Sequence, residues 1–397
     1  MKVCAITMQF PVQSETFAIR DFISWSENGI DLSILTLKQP KNKKIDKELR
    51  ANITNLNINP SLGISLANIS IFFKVALKLL PLTIKSLYRE HSLIEAISIF
   101  YFFPRYIKIL TWIEITNPNV LHLYWGHYPS LIGIYVKKYY PKIVVSIFLG
   151  AYDLYKNLII SRKCVDLCDC AWTHSKANFK ILESNNFSSS KFQLNYRSID
   201  FKKIKIQTNY QYSKPVDFLS VCRLVPNKGI KETLKAMAFM AREGLDFKYS
   251  VVGFGPELDS LKRDVKKLSL SNHVEFLGYQ NTESVFNLMS NANTFIQLSD
   301  KEGECLPNSL KEALWHRCYC IVAYSPGINE LIIDEDFGKV IDKYNTNEVY
   351  NELKKFNKKI PLLKYPKIED YLLKNFDINN STKKYLEIWK NKVKLND

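Results

Sequence analysis

Glu304 and Glu312 bracket the run Cys305-Leu306-Pro307-Asn308-Ser309-Leu310-Lys311, and Arg223 and Lys228 stand upstream with four residues between them. Carboxylates accept hydrogen bonds from sugar hydroxyls. A guanidinium forks onto two phosphate oxygens, and an ammonium adds a compact positive charge. Together the four residues describe a site for a sugar joined to a nucleoside diphosphate. Each motif alone is also what a basic loop or a helix cap looks like, so the weight lies on the combination.

The surrounding pattern supplies elements able to hold these groups. An apolar strand pattern over Val216–Leu224 carries Arg223 at its end; Lys228 and Gly229 follow, then a helical pattern over Ile230–Arg242. Such a loop offers amide N–H groups and a positive helix end to an anion. A second strand runs into the turn Gly253-Phe254-Gly255-Pro256, a weak phosphate signal by itself. Pro307 suits a first helical turn. That places Glu304 in the loop ahead of the helix and Glu312 one to two turns inside it. A sugar diphosphate lying along this helix start would meet Glu304 at its sugar and Glu312 at its ribose.

Elsewhere, strands alternate with helices, the mark of α/β architecture with parallel sheets. The first half holds strand patterns at Val3–Thr7, Leu32–Leu37, Val120–Tyr124, Ile143–Phe148, Cys170–His174 and Phe192–Asn195. The second continues from Val216 through Tyr249–Val252, Val274–Leu277, Thr294–Leu298, Cys320–Ala323 and Lys339–Ile341. Many are continuous apolar runs, as strands buried on both faces require. The polar stretch Phe201–Pro215 reads as a linker. The expected organisation is a Rossmann-like domain over 1–205, a second over 206–365, and a helical segment over 366–397 packing back toward the first. Ligands of such doubly wound sheets lie at the carboxyl ends of the strands, here in a cleft between the two domains.

The chain has 397 residues, 46% of them hydrophobic and 13% aromatic, enough for a sizeable core in each of two domains. Lys and Arg number 55 against 39 Asp and Glu, a net charge of +16. Such a surface suits phosphorylated substrates or anionic lipid. No zinc-finger, RRM or basic-zipper pattern accompanies it, so nucleic acid is not expected as a partner. Met1-Lys2 runs straight into an apolar strand without a cleavage pattern, and the eight cysteines follow no disulfide framework, which reads as a cytoplasmic chain with reduced thiols. Cys164, Cys168 and Cys170 match no zinc spacing. The apolar region Ile64–Trp112 is too often interrupted to span a bilayer and reads as a pair of surface helices. Its Lys74, Lys78, Lys85 and Arg89 share one helical face, which fits either a solvated edge or contact with an anionic membrane surface.

Five segments in order carry a resemblance: Val221 to Gly229, Val252 to Pro256, Val274 to Gly278, Glu304 to Ala313 and Gly327 to Glu330. Together they resemble the C-terminal domain of the group 1 (family 4) retaining glycosyltransferases of the GT-B fold. Phe10 to Phe17 resemble a loop of the subgroup that builds bacterial exopolysaccharide, capsule and O-antigen chains, including colanic-acid-type transferases, and Asn195 to Asp200 resemble the end of the family's first domain. The resemblance implies that Arg223, Lys228 and Glu304 act at the bond being broken. It implies donor contacts from Gly253, Gly255, Leu306, Pro307, Asn308, Ser309 and Glu312, and an acceptor side drawn from Ser14, Glu15, His127 and Asp153. It further implies a UDP- or GDP-sugar donor, no metal, a polyprenyl-pyrophosphate-linked saccharide as acceptor, and work on the inner face of the cytoplasmic membrane.

Two positions depart from the family pattern. Leu149 stands where a histidine is expected, with His122 and His127 as candidates to replace it, and Cys305 stands where glycine is common. Competing readings are a nucleotide-sugar epimerase or phosphorylase on the same fold, and a non-catalytic saccharide- or lipid-binding relative.

Overall fold

The computed structural model describes residues 1–12, 15–38, 53–59, 68–87, 92–206, 215–299, 306–358 and 365–396. It divides into two units, Met1–Ser198 with Ile378–Asp397, and Ile199–Asp377.

The first unit is built on seven strands: β1 (Lys2–Thr7), β2 (Asp31–Thr36), β3 (Asn57–Ile58), β4 (Val120–Leu123), β5 (Val144–Phe148), β6 (Cys170–Thr173) and β7 (Phe192–Leu194). They lie in the order β3-β2-β1-β4-β5-β6-β7, and every neighbouring pair is parallel. Among the described residues up to Ser198, the helices are α1 (Thr16–Glu27), α2 (Ile69–Leu87), α3 (Leu93–Tyr101), α4 (Phe103–Thr116), α5 (Ser130–Tyr139), α6 (Ala151–Lys156), α7 (Ile159–Leu167) and α8 (Ala177–Ser184). Side chains alternate across a strand, so each strand feeds two cores. Cys4, Ile6, Leu121, Leu123, Val145 and Ile147 face one core, shared with residues of α2, α4 and α5. Val3, Ala5, Val120, Tyr124, Val144 and Phe148 face the other, shared with α1.

The second unit carries β8 (Val216–Val221), β9 (Phe247–Val252), β10 (Val274–Gly278), β11 (Thr294–Gln297), β12 (Tyr319–Ala323) and β13 (Gly338–Ile341), with α9 (Ile230–Arg242), α10 (Leu258–Lys267), α11 (Thr282–Asn291), α12 (Asn308–Trp315), α13 (Thr346–Lys358) and α14 (Tyr365–Phe376). Its sheet, again wholly parallel, runs β10-β9-β8-β11-β12-β13. In both sheets the strand order reverses beside the first strand, between β1 and β4 and between β8 and β11. These switch points are where the loops after adjacent strands part and leave room for a ligand.

Three expectations change in the structure. The region read as a helix pair contains three helices, because Pro104 in the first turn of α4 favours a fresh helix start. The terminal pattern read as one helix is two, α14 and α15 (Ile378–Asn396), divided at Asp377. There the chain turns to meet the segment after β7: Ile199 donates its amide to the Phe376 carbonyl at 2.8 Å and forms a parallel bridge with Asp377. The polar stretch expected as linker begins too late, since the chain changes unit at Ser198–Ile199. Phe201 is already buried in the second unit, its ring 4.4 Å from that of Trp315.

Helix α15 therefore belongs to the first unit, whereas α14 stays with the second. Tyr385 and Trp389 enter the core beside Trp25, and Trp389 donates its indole N–H to Ser146 Oγ at 3.0 Å. Trp389→Ala removes a fully buried ring and strands that hydroxyl contact. It is expected to destabilise the first unit by about 3–5 kcal/mol, seen in chemical denaturation as an earlier first transition with the second unchanged.

Candidate functional site

Beyond Val221 the chain keeps pairing with the segment after β9: Cys222 donates its amide to the Val252 carbonyl at 3.0 Å, and Leu224 to Phe254 at 2.9 Å. This extended tip carries Arg223, which is exposed and has no ion-pair partner among the described residues. Gly253 lies at φ +131°, and a Cβ there would collide with the Cys222 carbonyl; a Cβ on Gly255 would collide with the Leu224 carbonyl. The two glycines thus let one loop lie against the backbone that presents Arg223. That packing reason was not visible in the motif alone.

Pro226–Lys228 form one 3-10 turn, and Gly229 follows in the left-handed region at φ +73°. A side chain there would strike the carbonyl of Leu298, just past β11. The Lys228 loop and the tip of β11 are therefore in contact at the β8–β11 switch point. Arg223, half-buried Lys228 and the start of α12 come from the two strands that flank it.

Helix α12 starts after Pro307, which sits at the cap position with extended ψ of 135° and not in the first turn. Asn308, Ser309 and Glu312 are half-buried, while Leu310, Lys311, Ala313 and Leu314 are buried. Residues four apart share a helical face, so Asn308 and Glu312 stand one above the other with Ser309 at their side. Ser309 donates to Gln297 Oε1 at 3.2 Å, tying the helix start to β11. Leu306 is buried and anchors the entering chain. Lys311, which sequence reasoning assigned no role, is fully buried; its Nζ donates to Asn308 Oδ1 at 3.1 Å and lies 5.1 Å from the Phe376 ring centre. Glu304 and Cys305 lie outside the described residues, as does Ser14.

The first unit gathers a second group at the carboxyl ends of β4 to β7. Asp153, buried in the first turn of α6, accepts amides from Gly126 at 3.0 Å and Gly150 at 2.9 Å, and its Oδ1 stands 2.5 Å from His127 Nδ1. The His127 ring stacks on Tyr152 at 5.3 Å. Burial alone would pull the His127 pKa down, but the Asp153 carboxylate outweighs it and the net shift is upward. Glu15, next to α1, has its carboxyl raised by burial, partly offset by the Arg197 charge and a hydrogen bond from Trp125.

His122, by contrast, lies inside β4 and not in a loop. It is fully buried against Trp25, Tyr385 and Trp389, with Nδ1 2.9 Å from Ser146 Oγ, and burial holds its pKa down to about 3. Leu149 is fully buried in the opposite core and packs on Gly126, where a Cβ would collide with it. Position 149 therefore lies against the loop after β4 but presents only an apolar side chain there, and of the two histidines only His127 belongs to that loop.

Sequence reasoning missed Arg197, Trp125 and His174. Arg197 is buried in an aromatic cage, its guanidinium 3.9 Å from the Phe148 ring centre, 4.3 Å from Phe17 and 5.2 Å from Trp125, and it pairs with Asp21 at 3.4 Å. His174 stacks on the far side of the same neighbourhood, 5.9 Å from Phe148. The available signal was position: His174 directly follows β6, and Trp125 and Arg197 stand two and three residues past the ends of β4 and β7. Among the described residues no cluster of three or more His, Cys, Asp or Glu is arranged to hold a metal. Cys164 and Cys170 are buried thiols whose pKa burial pushes up to about 12 and about 11.

Residues 201–367 match the family described as glycosyl transferases group 1. A Campylobacter jejuni protein, N-acetylgalactosamine-N,N'-diacetylbacillosaminyl-diphospho-undecaprenol 4-alpha-N-acetylgalactosaminyltransferase, is 30% identical over 50% of this chain and 54% of its own. The amylovoran biosynthesis glycosyltransferase AmsK of Erwinia amylovora is 22% identical over 84% of each chain. The chain spans between 36% and 54% of the length of the first curated relatives it matches. Among solved structures, Anabaena HepE in complex with UDP superposes with a TM-score of 0.70 over 98% of this chain and 100% of that one, at 12% identity. The fold is that of the GT-B glycosyltransferases, two Rossmann-like parallel-sheet units.

The His127–Asp153 pair has a readable signature. The imidazole should titrate above its ordinary 6.5, so the pair's contribution to stability is fully present below that pH and is lost as pH rises through the higher folded value. In Asp153→Asn burial and the Lys156 charge, both lowering, outweigh the smaller opposing effect of Glu15, and the midpoint should fall below 6.5. Imidazole proton resonances followed against pH check both values; equal midpoints in the two proteins would disprove the pairing.

Proposed function

We propose, from the premise that residues 201–367 form a glycosyl transferases group 1 domain, that this chain moves a sugar from a nucleotide-sugar donor to a saccharide acceptor in the assembly of a bacterial surface polysaccharide. The observation that carries this reading is the convergence at the β8–β11 switch point. An exposed Arg223, the Lys228 turn held on Leu298, and the Asn308–Ser309–Glu312 edge of α12 offer cations, amides and a carboxylate to one ligand.

In this reading the second unit binds the donor. Arg223 and Lys228 hold the diphosphate, aided by the N-terminal ends of α9 and α12. Glu312 receives ribose hydroxyls, and Glu304 orients the sugar. Gly253 and Gly255 serve by shaping the Arg223 loop, and Leu306 to Ser309 line the helix start. The bond from the anomeric carbon to the diphosphate oxygen breaks, and the bond from that carbon to the acceptor oxygen forms on the same face. The acceptor's hydroxyl proton passes to the departing diphosphate. Charge builds on the diphosphate as the bond lengthens, so fixed cations there stabilise the transition state more than the ground state.

The first unit receives the acceptor. His127, oriented by Asp153, and Glu15 with Ser14 present polar groups there, and Arg197 holds the aromatic floor beneath Glu15. A lipid-linked saccharide fits this assignment, since the Campylobacter jejuni relative is named for a diphospho-undecaprenol acceptor. The donor base is uridine or guanosine; UDP is the nucleotide bound in the HepE structure. The enzyme would then work in the cytoplasm against the inner face of the membrane.

Two substitutions test the phosphate role. Arg223→Ala and Lys228→Ala should each lower transfer by roughly 10²–10³ in kcat, with unchanged thermal midpoints in the absence of ligand. Both should lose the stabilisation that the correct UDP- or GDP-sugar gives the parent chain. Glu312→Ala should raise the donor KM more than it lowers kcat. Transfer at the parent rate in both cation variants would overturn the assignment.

A further inference from the structure

Helix α2 carries three distinct arcs. Val75, Leu79, Leu82 and Thr83 are buried in the unit's core. Lys74, Lys78 and Lys85 form a second arc beside them. The third is Ile69, Phe73, Leu77, Leu80 and Ile84, all exposed, Leu77 by 74%. At about 100° per residue these five fall within an arc of about 80°. Helix α3, which packs against α2, is similarly inverted: Leu93, Ile94, Ile97, Phe100 and Tyr101 are exposed, Leu93 by 83%, while Ala96 and Ile99 are buried. Ten large apolar side chains exposed on two adjoining helices exceed what scattered surface residues explain.

The charges around this face identify what covers it. On α2, α3 and α4 the exposed charged side chains are Lys74, Lys85 and Lys108, all cationic. The two carboxylates there, Glu95 and Glu114, are half-buried and paired, with Lys156 at 4.0 Å and Lys74 at 2.7 Å. Lys38 lies over the Phe102 ring at the α3–α4 junction. An apolar stripe edged only by lysines matches an anionic lipid surface. The apolar side chains enter the acyl boundary, and the lysine stems reach back to the phosphates. Two copies pressed together through this face would instead set lysine against lysine. No helix among the described residues is long and apolar enough to cross a membrane, and an apolar stripe with flanking lysines has the form of a helix that lies in the plane of a bilayer surface.

We propose that the outward faces of α2 and α3 form a docking surface for an anionic lipid bilayer, held mainly by inserted apolar side chains and oriented by the flanking lysines. This rests on the reading of a lipid-linked acceptor and replaces the expectation of a purely basic stripe. Lys74 is committed to Glu114, and Lys78 lies 4.8 Å from the Tyr139 ring centre; Arg89 lies outside the described residues.

The test is flotation of the full chain with vesicles of phosphatidylcholine alone and of phosphatidylcholine with phosphatidylglycerol. The single variants Leu77→Gln and Ile94→Gln and the triple variant Leu77→Gln, Ile94→Gln, Ile97→Gln are compared with Lys74→Ala, Lys85→Ala, Lys108→Ala. The parent should bind the anionic vesicles and retain part of that binding in 0.5 M salt, conditions chosen because screening at about that strength suppresses charge attraction alone. The apolar triple variant should lose at least tenfold at both salt levels, and the lysine variant should lose its preference for anionic over neutral vesicles. Unchanged thermal midpoints and unchanged stabilisation by nucleotide sugar in the apolar variants separate a lost surface from a lost fold or donor site. Parental vesicle binding by the triple variant overturns the proposal. So does a parent chain that is dimeric in solution and made monomeric by these substitutions. A parent that binds vesicles but no nucleotide sugar upholds the surface and overturns the transfer reading instead.

Discussion

A parallel sheet buried on both faces forces its polar chemistry to the ends of its strands. Side chains alternate above and below, and each side meets a helical layer, so a polar group inside the sheet must find a partner there or carry a desolvation cost. Ser146 shows how tight that condition is. Its hydroxyl is shared by His122 at 2.9 Å, Trp172 at 2.8 Å and Trp389 at 3.0 Å, a network sealed inside the core, where His122 Nε2 carries that cost without a hydrogen-bond partner. The same sheet releases its loops at the carboxyl ends of β4, β5, β6 and β7, and there His127, Asp153, His174 and Arg197 collect.

The second unit obeys the same constraint through its backbone. The loops after β8 and β9 run side by side because Gly253 and Gly255 place no Cβ against the carbonyls of Cys222 and Leu224. Arg223 is thereby held on an extended tip and kept from folding back. Gly229 likewise lets the Lys228 turn touch Leu298, which brings cations from one side of the switch point against the helix start on the other. In the first unit Asp153 does the equivalent with a side chain, fastening the amides of Gly126 and Gly150 while facing His127. The proposed donor and acceptor groups are each presented by a backbone arrangement that packing over-determines.

Helix α2 shows the limit of reading amphipathicity from a pattern. An apolar run with a lysine stripe reads as apolar inward and basic outward. In the fold the run supplies two apolar arcs, one buried and one outward, because the core takes only the Val75–Leu79–Leu82 side. The lysines fall between the arcs and are partly committed to Glu114 and Tyr139. Periodicity identified the helix but could not say which apolar arc found a neighbour.

Much of this protein was legible from local chemistry. Apolar runs bounded by turn residues marked the strands, since burial on both faces leaves a continuous signature. The spacing of Arg223, Lys228 and Glu312 around a strand end and a helix start was a local statement, and it stands at a switch point because strand order follows from parallel pairing. The two-residue β3 was too short to leave a pattern. The break at Asp377, the return of α15 through Trp389, the burial of His122 and Leu149, and the caging of Arg197 could not be read in advance. Each depends on residues far apart in the chain meeting in space: Asp377 with Ile199, Trp389 with Ser146, Arg197 with Asp21 and Phe148. Sequence by itself determined which segments could become strands, helices and polar loops, because those choices follow from the residues and their immediate neighbours. Only the tertiary structure decided which polar and apolar faces were left open, because that depends on what else packs against them.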